Sequence, residues 1–239
     1  MRRLAIPAAY LLAAAVLATS FPLALAVFAA TAPFDPDRMA VSEALRRLGT
    51  VFIRTSPLWR VELEGALPPP PATFVVVPNH RSLVDALAVA FLPRNMKWIG
   101  KRSVFAVPWL GWAFRLAGYV PVRRGDRASG RRALARMRRY LDRGIPVGLF
   151  AEGTRSRGGE LRPFKAGPFK LAIEAGVPIV PVAIEGAGRA LPPDRLAVHR
   201  ARIRVRILAP IPTRGLAVGD VDRLRAAVRA ALAGALPPA

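Results

Sequence analysis

The chemistry in this sequence gathers at Asn79-His80-Arg81-Ser82-Leu83-Val84-Asp85, directly after the apolar run Phe74-Val75-Val76-Val77-Pro78. His80 and Asp85 stand five residues apart. In mid-helix that spacing, at roughly 100° per residue, would turn the two side chains about 140° away from each other. They can meet if His80 lies in the loop before a helix and Asp85 in its first turn, with Ser82 as the N-cap between them. The pair then resembles a base and its orienting acid. A carboxylate on one ring nitrogen fixes the tautomer and leaves the other nitrogen able to take a proton near neutral pH. Such a base can activate a substrate hydroxyl directly, with no enzyme nucleophile. The same letters also read as a plain capping box, with Asp85 reaching back to the Ser82 amide and His80 as a loop histidine.

Something must deliver this loop. The β-branched run before it reads as a buried strand that ends in a polar cluster. A second apolar run, Ile145 to Phe150, ends the same way, in Glu152-Gly153-Thr154-Arg155-Ser156-Arg157. Two such strands point to one crevice at the strand ends of an α/β sheet. The 239 residues suffice for one sizeable α/β domain and an N-terminal attachment, here placed at residues 56–239 and 1–55. With no cysteine in the chain, disulfides, thiolate metal sites and cysteine nucleophiles are excluded. The only histidines are His80 and His199, which argues against a histidine-rich metal site, and His199 reads as a surface residue. A formal charge of +22, nearly all arginine, calls for an anionic partner: nucleic acid, an acidic membrane surface or a phosphate-bearing substrate.

From Leu4 to Phe34 there is no charged residue. As one straight helix that stretch would run about 46 Å, against a hydrocarbon core of roughly 30 Å. Pro22 falls near its middle, so a helical hairpin dipping into one leaflet fits as well as one tilted span. Arg38, Arg46, Arg47 and Arg54 favour a cytoplasmic far side. Arg2-Arg3 before the apolar run and small residues such as Ala24-Leu25-Ala26 also fit a cleaved signal peptide. The pattern then predicts an amphipathic helix from Met39 to Arg54, with Val41, Leu45, Leu48 and Phe52 on one side. A half-buried strand follows over Trp59, Val61 and Leu63, and a helix over about Ser82 to Phe91. The aromatic-rich stretch from Met96 to Gly118 reads either as a buried helix or as the lining of an acyl-chain groove that touches lipid. A short strand is expected over Gly118 to Val122, then a basic helix from Arg131 to Arg143 and a helix ending at Ala175. Strands at Pro178 to Ile184 and Ile203 to Ile207 and a closing helix from Asp220 to Ala233 complete the chain.

With these pieces in order the sequence resembles the glycerolipid acyltransferases, specifically the 1-acylglycerol-3-phosphate acyltransferase family, over about Arg60 to Gly186. Four family blocks occur in the family's order. NHxxxxD is Asn79, His80 and Asp85. GxxFxxR is matched at Gly118 and Arg124, with Pro121 in place of its phenylalanine. FPEGTR is Phe150, Glu152, Gly153, Thr154 and Arg155, with Ala151 in place of its proline, and VPIVPV is complete from Val177 to Val182. The resemblance implies an α/β domain with a mixed, mostly parallel sheet flanked by helices, as in glycerol-3-phosphate acyltransferase. It implies that His80, oriented by Asp85, deprotonates the sn-2 hydroxyl of a lysophosphatidate, which attacks the thioester of acyl-CoA or acyl carrier protein. Arg124, Glu152, Gly153, Thr154 and Arg155 would bind the acceptor phosphate, the guanidiniums bidentately, with Glu152 positioning Arg124 or Arg155. Lys101, Arg162 and Lys165 are further candidates for phosphate contact.

No cofactor and no metal are expected, since the thioester is already activated. The implied partners are a membrane lipid acceptor, the acyl donor and an anionic membrane surface, at a cell membrane with the site on the cytoplasmic side. A cytoplasmic acyl donor sets the signal-peptide reading aside. The same chemistry on another lysolipid, such as an amine-headed one, is the nearest alternative. An inactive membrane scaffold is another, against which the intact His80 and Asp85 argue. Nucleic-acid binding has only the charge in its favour, because no basic-aromatic recognition module accompanies it.

Overall fold

The structure is a computed structural model that describes residues 2–155, 160–192 and 197–237, with residues 2–5 as backbone alone. Ser156 and Arg157, the end of the second polar cluster, lie outside the described residues. In chain order, α1 (Arg2–Thr31) and α2 (Met39–Thr55) precede β1 (Trp59–Glu64), β2 (Val75–Pro78), α3 (Leu83–Ala88), β3 (Lys97–Lys101), α4 (Leu110–Leu116), β4 (Val120–Val122) and α5 (Arg127–Asp142). Then come β5 (Val147–Gly148), α6 (Gly167–Ala175), β6 (Ile179–Glu185), α7 (Ala187–Ala190), β7 (Ala201–Ile207) and α8 (Val221–Ala235).

The strands form one seven-stranded sheet in the order β1-β7-β6-β2-β5-β3-β4. Every neighbouring pair is parallel except β6 with β7. β2 sits at the centre, with Val75 opposite Ile179 of β6 on one side and Val147 of β5 on the other. A strand covered on both faces can be apolar throughout, and β2 is. Val75 and Val77 point into a core made with α5, α6 and α8. Phe74 and Val76 point into a second core with α2, α3 and the first half of α1. Each of these valines is fully buried and contributes about 2 kcal/mol of hydrophobic free energy. The parallel ladder also sets all its strand ends on one side, so β2 and β5 release their polar clusters side by side.

Several elements depart from the sequence expectation. α1 is one continuous helix that contains Pro7 and Pro22, and the hairpin is made by α1 against α2 instead of by a bend at Pro22. A proline removes one backbone donor from the ladder. In the turns before Pro22, Thr19 Oγ1 donates to Ala15 O and Ser20 Oγ to Leu17 O, both at 2.8 Å. One stripe of α1 docks on the protein, with Ala9 and Ala24 buried, while Tyr10, Leu11, Leu17 and Leu25 are exposed. The stretch from Met96 to Gly118 is not one helix. It opens with β3, whose charged ends and Gly100 hid it from a pattern of apolar alternation. α5 starts at Arg127, four residues before the expected Arg131, because Asp126 Oδ1 caps it by accepting from the Ser129 amide at 2.9 Å. β7 matches its expectation: Ile203, Val205 and Ile207 are buried, while Arg202 and Arg204 are exposed.

Candidate active site

Four local features fix His80 where β2 ends. The Asn79 side chain continues the sheet by pairing with the Ile184 backbone on β6, its Nδ2 donating to Ile184 O at 2.9 Å and its Oδ1 accepting from Ile184 N at 2.6 Å. Ser82 is the N-cap of α3, its Oγ accepting from the Val84 amide at 3.1 Å and donating to Leu191 O at 2.6 Å. Asp85 completes the capping box from the first turn. Its Oδ2 accepts from the amides of Arg81 at 2.5 Å and Ser82 at 2.7 Å, and from His80 Nδ1 at 3.1 Å. The two readings of this motif are therefore one structure, because the capping carboxylate is also the partner of the imidazole. Phe150 stacks on the imidazole with ring centroids 4.2 Å apart, which holds the ring plane.

Because a carboxylate only accepts, Nδ1 carries the proton and Nε2 is left as the free base nitrogen. Asp85 is fully buried, and its Oδ1 has no hydrogen-bond partner among the described residues. The three donors on Oδ2 satisfy that oxygen without water contact.

Glu152, at the end of the β5 segment, joins this loop to the second cluster. Its Oε1 accepts from the His80 amide at 2.8 Å and its Oε2 from the Arg162 amide at 3.1 Å. This corrects the expectation that Glu152 aligns Arg124 or Arg155: its partners are main-chain amides, so it braces the backbone on both sides of the crevice. Burial raises its pKa, and the two amides oppose that rise.

Beside Glu152 lies a cleft of about 370 Å³ lined by Arg124, Glu152, Gly153, Thr154, Arg162, Pro163 and Lys165. Four of the five residues expected to bind the acceptor phosphate are in that wall, as are Arg162 and Lys165. Arg155 is not among them, but it lies near enough to Arg124 that its charge, after partial burial, helps lower the Arg124 pKa. Two guanidiniums held together in this way favour an anion between them. Gly153 is needed twice over. Its φ of +66° is left-handed, and a Cβ there would stand 2.7 Å from Lys165 Cε, so the absent side chain lets the lysine cross the turn into the cleft. Lys101 is exposed at the end of β3 and lines no part of this cleft, and His199 is exposed as expected. The clamp by Asn79, the stacking of Phe150 and the Glu152 brace were not deduced from the sequence. Only the residues themselves, as letters of the ordered blocks, signalled them.

Comparison with known proteins agrees with this geometry. Residues 60–185, more than half of the chain, match the Acyltransferase family. A 1-acyl-sn-glycerol-3-phosphate acyltransferase of Chlamydomonas reinhardtii is 34% identical over 231 residues, covering 92% of this chain and 68% of that protein. A chloroplastic enzyme of the same name from Arabidopsis thaliana is 34% identical, covering 74% of this chain and 51% of that protein. The human 1-acyl-sn-glycerol-3-phosphate acyltransferase alpha is 37% identical, covering 71% and 61%. The chain thus spans about half to two thirds of the length of these relatives. The crystal structure of the 1-acyl-sn-glycerophosphate acyltransferase PlsC from Thermotoga maritima superposes with a TM-score of 0.75 over 98% of both chains at 23% identity, a likeness of fold. By sequence match, by fold and by the ordered histidine and arginine clusters, this chain belongs to the acyltransferase family.

Proposed function

We propose that the chain transfers a fatty acyl group from acyl-CoA or acyl carrier protein to the sn-2 hydroxyl of 1-acyl-glycerol-3-phosphate, making phosphatidate for phospholipid synthesis. The observation that carries this reading is the 3.1 Å contact of His80 Nδ1 with Asp85 Oδ2, braced through Glu152 against a cationic cleft. An imidazole paired with a buried carboxylate suits direct activation of an acceptor hydroxyl, and a cation-lined cleft suits a phosphomonoester at the other end of that acceptor.

In this mechanism the acceptor phosphate lies between Arg124, Lys165 and the Thr154 hydroxyl, with Arg155 adding to the positive field. His80 Nε2 takes the hydroxyl proton as the oxygen attacks the thioester carbonyl. Asp85 stabilises the imidazolium that forms, and the C–S bond breaks as the tetrahedral intermediate collapses. His80 returns its proton to the departing thiolate, so one ester bond replaces one thioester bond and the base is regenerated. The chain has no cysteine and the step needs no acyl-enzyme.

We further place residues 1–55 as the membrane-attachment segment and residues 56–239 as the catalytic domain. Ile6–Thr31 is long and apolar enough to cross a membrane by length and composition. Because one stripe of α1 is docked along the protein, attachment to a single leaflet fits better than a free span, with the catalytic face in the cytoplasm beside its donor. The partners in this reading are the lysolipid acceptor, the thioester donor and an anionic bilayer surface.

Free thiol released by the purified protein in neutral detergent tests the reaction. Release that depends on lysophosphatidate, and is slower with an amine-headed lysolipid, is the expected result. Equal rates with both acceptors would remove the phosphate assignment, and no release with either donor would remove the activity.

A further inference from the structure

A second recess of about 370 Å³ lies away from the cleft just described, and four arginines border it: Arg38, Arg102, Arg115 and Arg136, with the rings of Phe105 and Tyr119 behind them. It follows the outer edge of β4, the last strand of the sheet, since Pro121 also lines it. Three strand spacings separate β4 from β2, which puts it roughly 14 Å from the strand that carries His80. Among the described residues none of the four arginines forms an ion pair with a carboxylate. The acids closest in sequence are otherwise engaged: Asp35 accepts from the Met39 and Ala40 amides at 2.8 and 2.7 Å, and Asp37 pairs with Arg143 at 2.5 Å.

The recess is built as well as charged. Arg38, which lines it at the α1–α2 corner, and Trp109, just before α4, are the non-glycine residues with positive φ among the described residues, at 58° and 63°. Lys97 Nζ holds the strained corner by donating to Arg38 O at 3.0 Å. The Arg38 side chain donates to Arg115 O at 3.1 Å, and that of Arg115 to Phe105 O at 3.0 Å, which aims both guanidiniums. Backbone strain retained around convergent cations marks a place where geometry serves a ligand.

We infer that this recess binds the phosphate of an anionic phospholipid of the bilayer, as a site separate from the acceptor cleft. A phosphate ester is the chemistry recognised by four guanidiniums that have no carboxylate partner among the described residues, and its surroundings choose the lipid as source. Phe34, 87% exposed, stands four residues before Arg38, whose guanidinium lies over Phe28 of α1 at 5.2 Å. Trp109, just before α4, and Trp112 on it are exposed and meet Phe21 of α1 edge-on at 5.9 and 5.2 Å. Arginines beside exposed aromatic anchors form the pattern of a headgroup site at a membrane interface. The inference does not depend on the acyl-transfer reading.

The test is partition of the full-length protein onto vesicles of phosphatidylcholine containing phosphatidylglycerol. The pair Arg102→Gln, Arg136→Gln is compared with Arg214→Gln, Arg223→Gln, which removes the same charge near and within α8. The recess pair is expected to lose roughly tenfold or more in partition and the control pair less than about threefold. The pair Arg102→Lys, Arg136→Lys keeps the net charge and loses the forked geometry, so it is expected to lose severalfold as well. Equal losses in the recess and control glutamine pairs would overturn the site in favour of the general field of the protein. Release of wild type from vesicles by inorganic phosphate beyond that by chloride at equal ionic strength is expected, and no difference between the two anions would overturn the lipid-phosphate assignment. So would unchanged partition of the recess pair with a raised KM for acyl-CoA in neutral detergent, which would give the recess to the phosphates of the donor.

Discussion

A single oxygen, Asp85 Oδ2, accepts from His80 Nδ1 and from the amides of Arg81 and Ser82. One atom therefore caps α3 and orients the base. Replacing Asp85 with Asn keeps an acceptor for the cap but removes the charge that stabilises an imidazolium. We expect kcat to fall by on the order of a thousandfold, with a much smaller loss of Tm, in steady-state kinetics and thermal melts. Comparable folding with little change in kcat would detach Asp85 from the chemistry. In the cleft, Lys165→Ala is expected to raise KM for the lysophosphatidate acceptor severalfold while leaving KM for the donor near its original value. The reverse pattern would assign the cleft to the donor. The His80–Asp85 pair was legible because its partners lie within one loop and the first turn of one helix, where capping rules apply. The task of Glu152 was not, because its partners are backbone amides 72 and 10 residues away, which no side-chain pattern encodes.

At the scale of elements, β7 could be read from strict alternation and α8 from its helical spacing, whereas β3 could not. Lys97 in β3 is completely buried, its Nζ donating to Ala117 O at 2.7 Å and Arg38 O at 3.0 Å. A lysine in that position looks like a surface residue in sequence, and only the folded chain supplies its carbonyl partners. Burial lowers its pKa to about 7. The unfolded chain therefore holds this proton more tightly than the folded one. Below about 7 the lysine is charged in both states, so stability should rise with pH from about 7 toward the ordinary lysine value. Thermal melts across that range should show the rise in wild type and a flatter profile for Lys97→Met. Parallel profiles would contradict the assignment.

For the molecule as a whole, the charge of +22 raised the expectation of an anionic partner from composition, but not of where it would be met. The fold distributes part of that charge into two arginine-bordered cavities, on a protein whose first helix exposes an apolar surface. Attachment then has a screened and an unscreened component. Raising salt from about 0.1 M to about 1 M shortens the Debye length from roughly 10 Å to roughly 3 Å. Co-sedimentation with anionic vesicles should weaken over that range yet leave a fraction bound through α1. Complete release at high salt would contradict attachment by the helix.

The central claim is that His80 takes the proton from the acceptor hydroxyl. Its most direct test is thiol release by His80→Ala beside wild type, at saturating acyl donor and lysophosphatidate and with matched thermal melts. The account predicts a fall in kcat of on the order of a thousandfold or more at unchanged stability. A folded variant that turns over at close to the wild-type rate would contradict it.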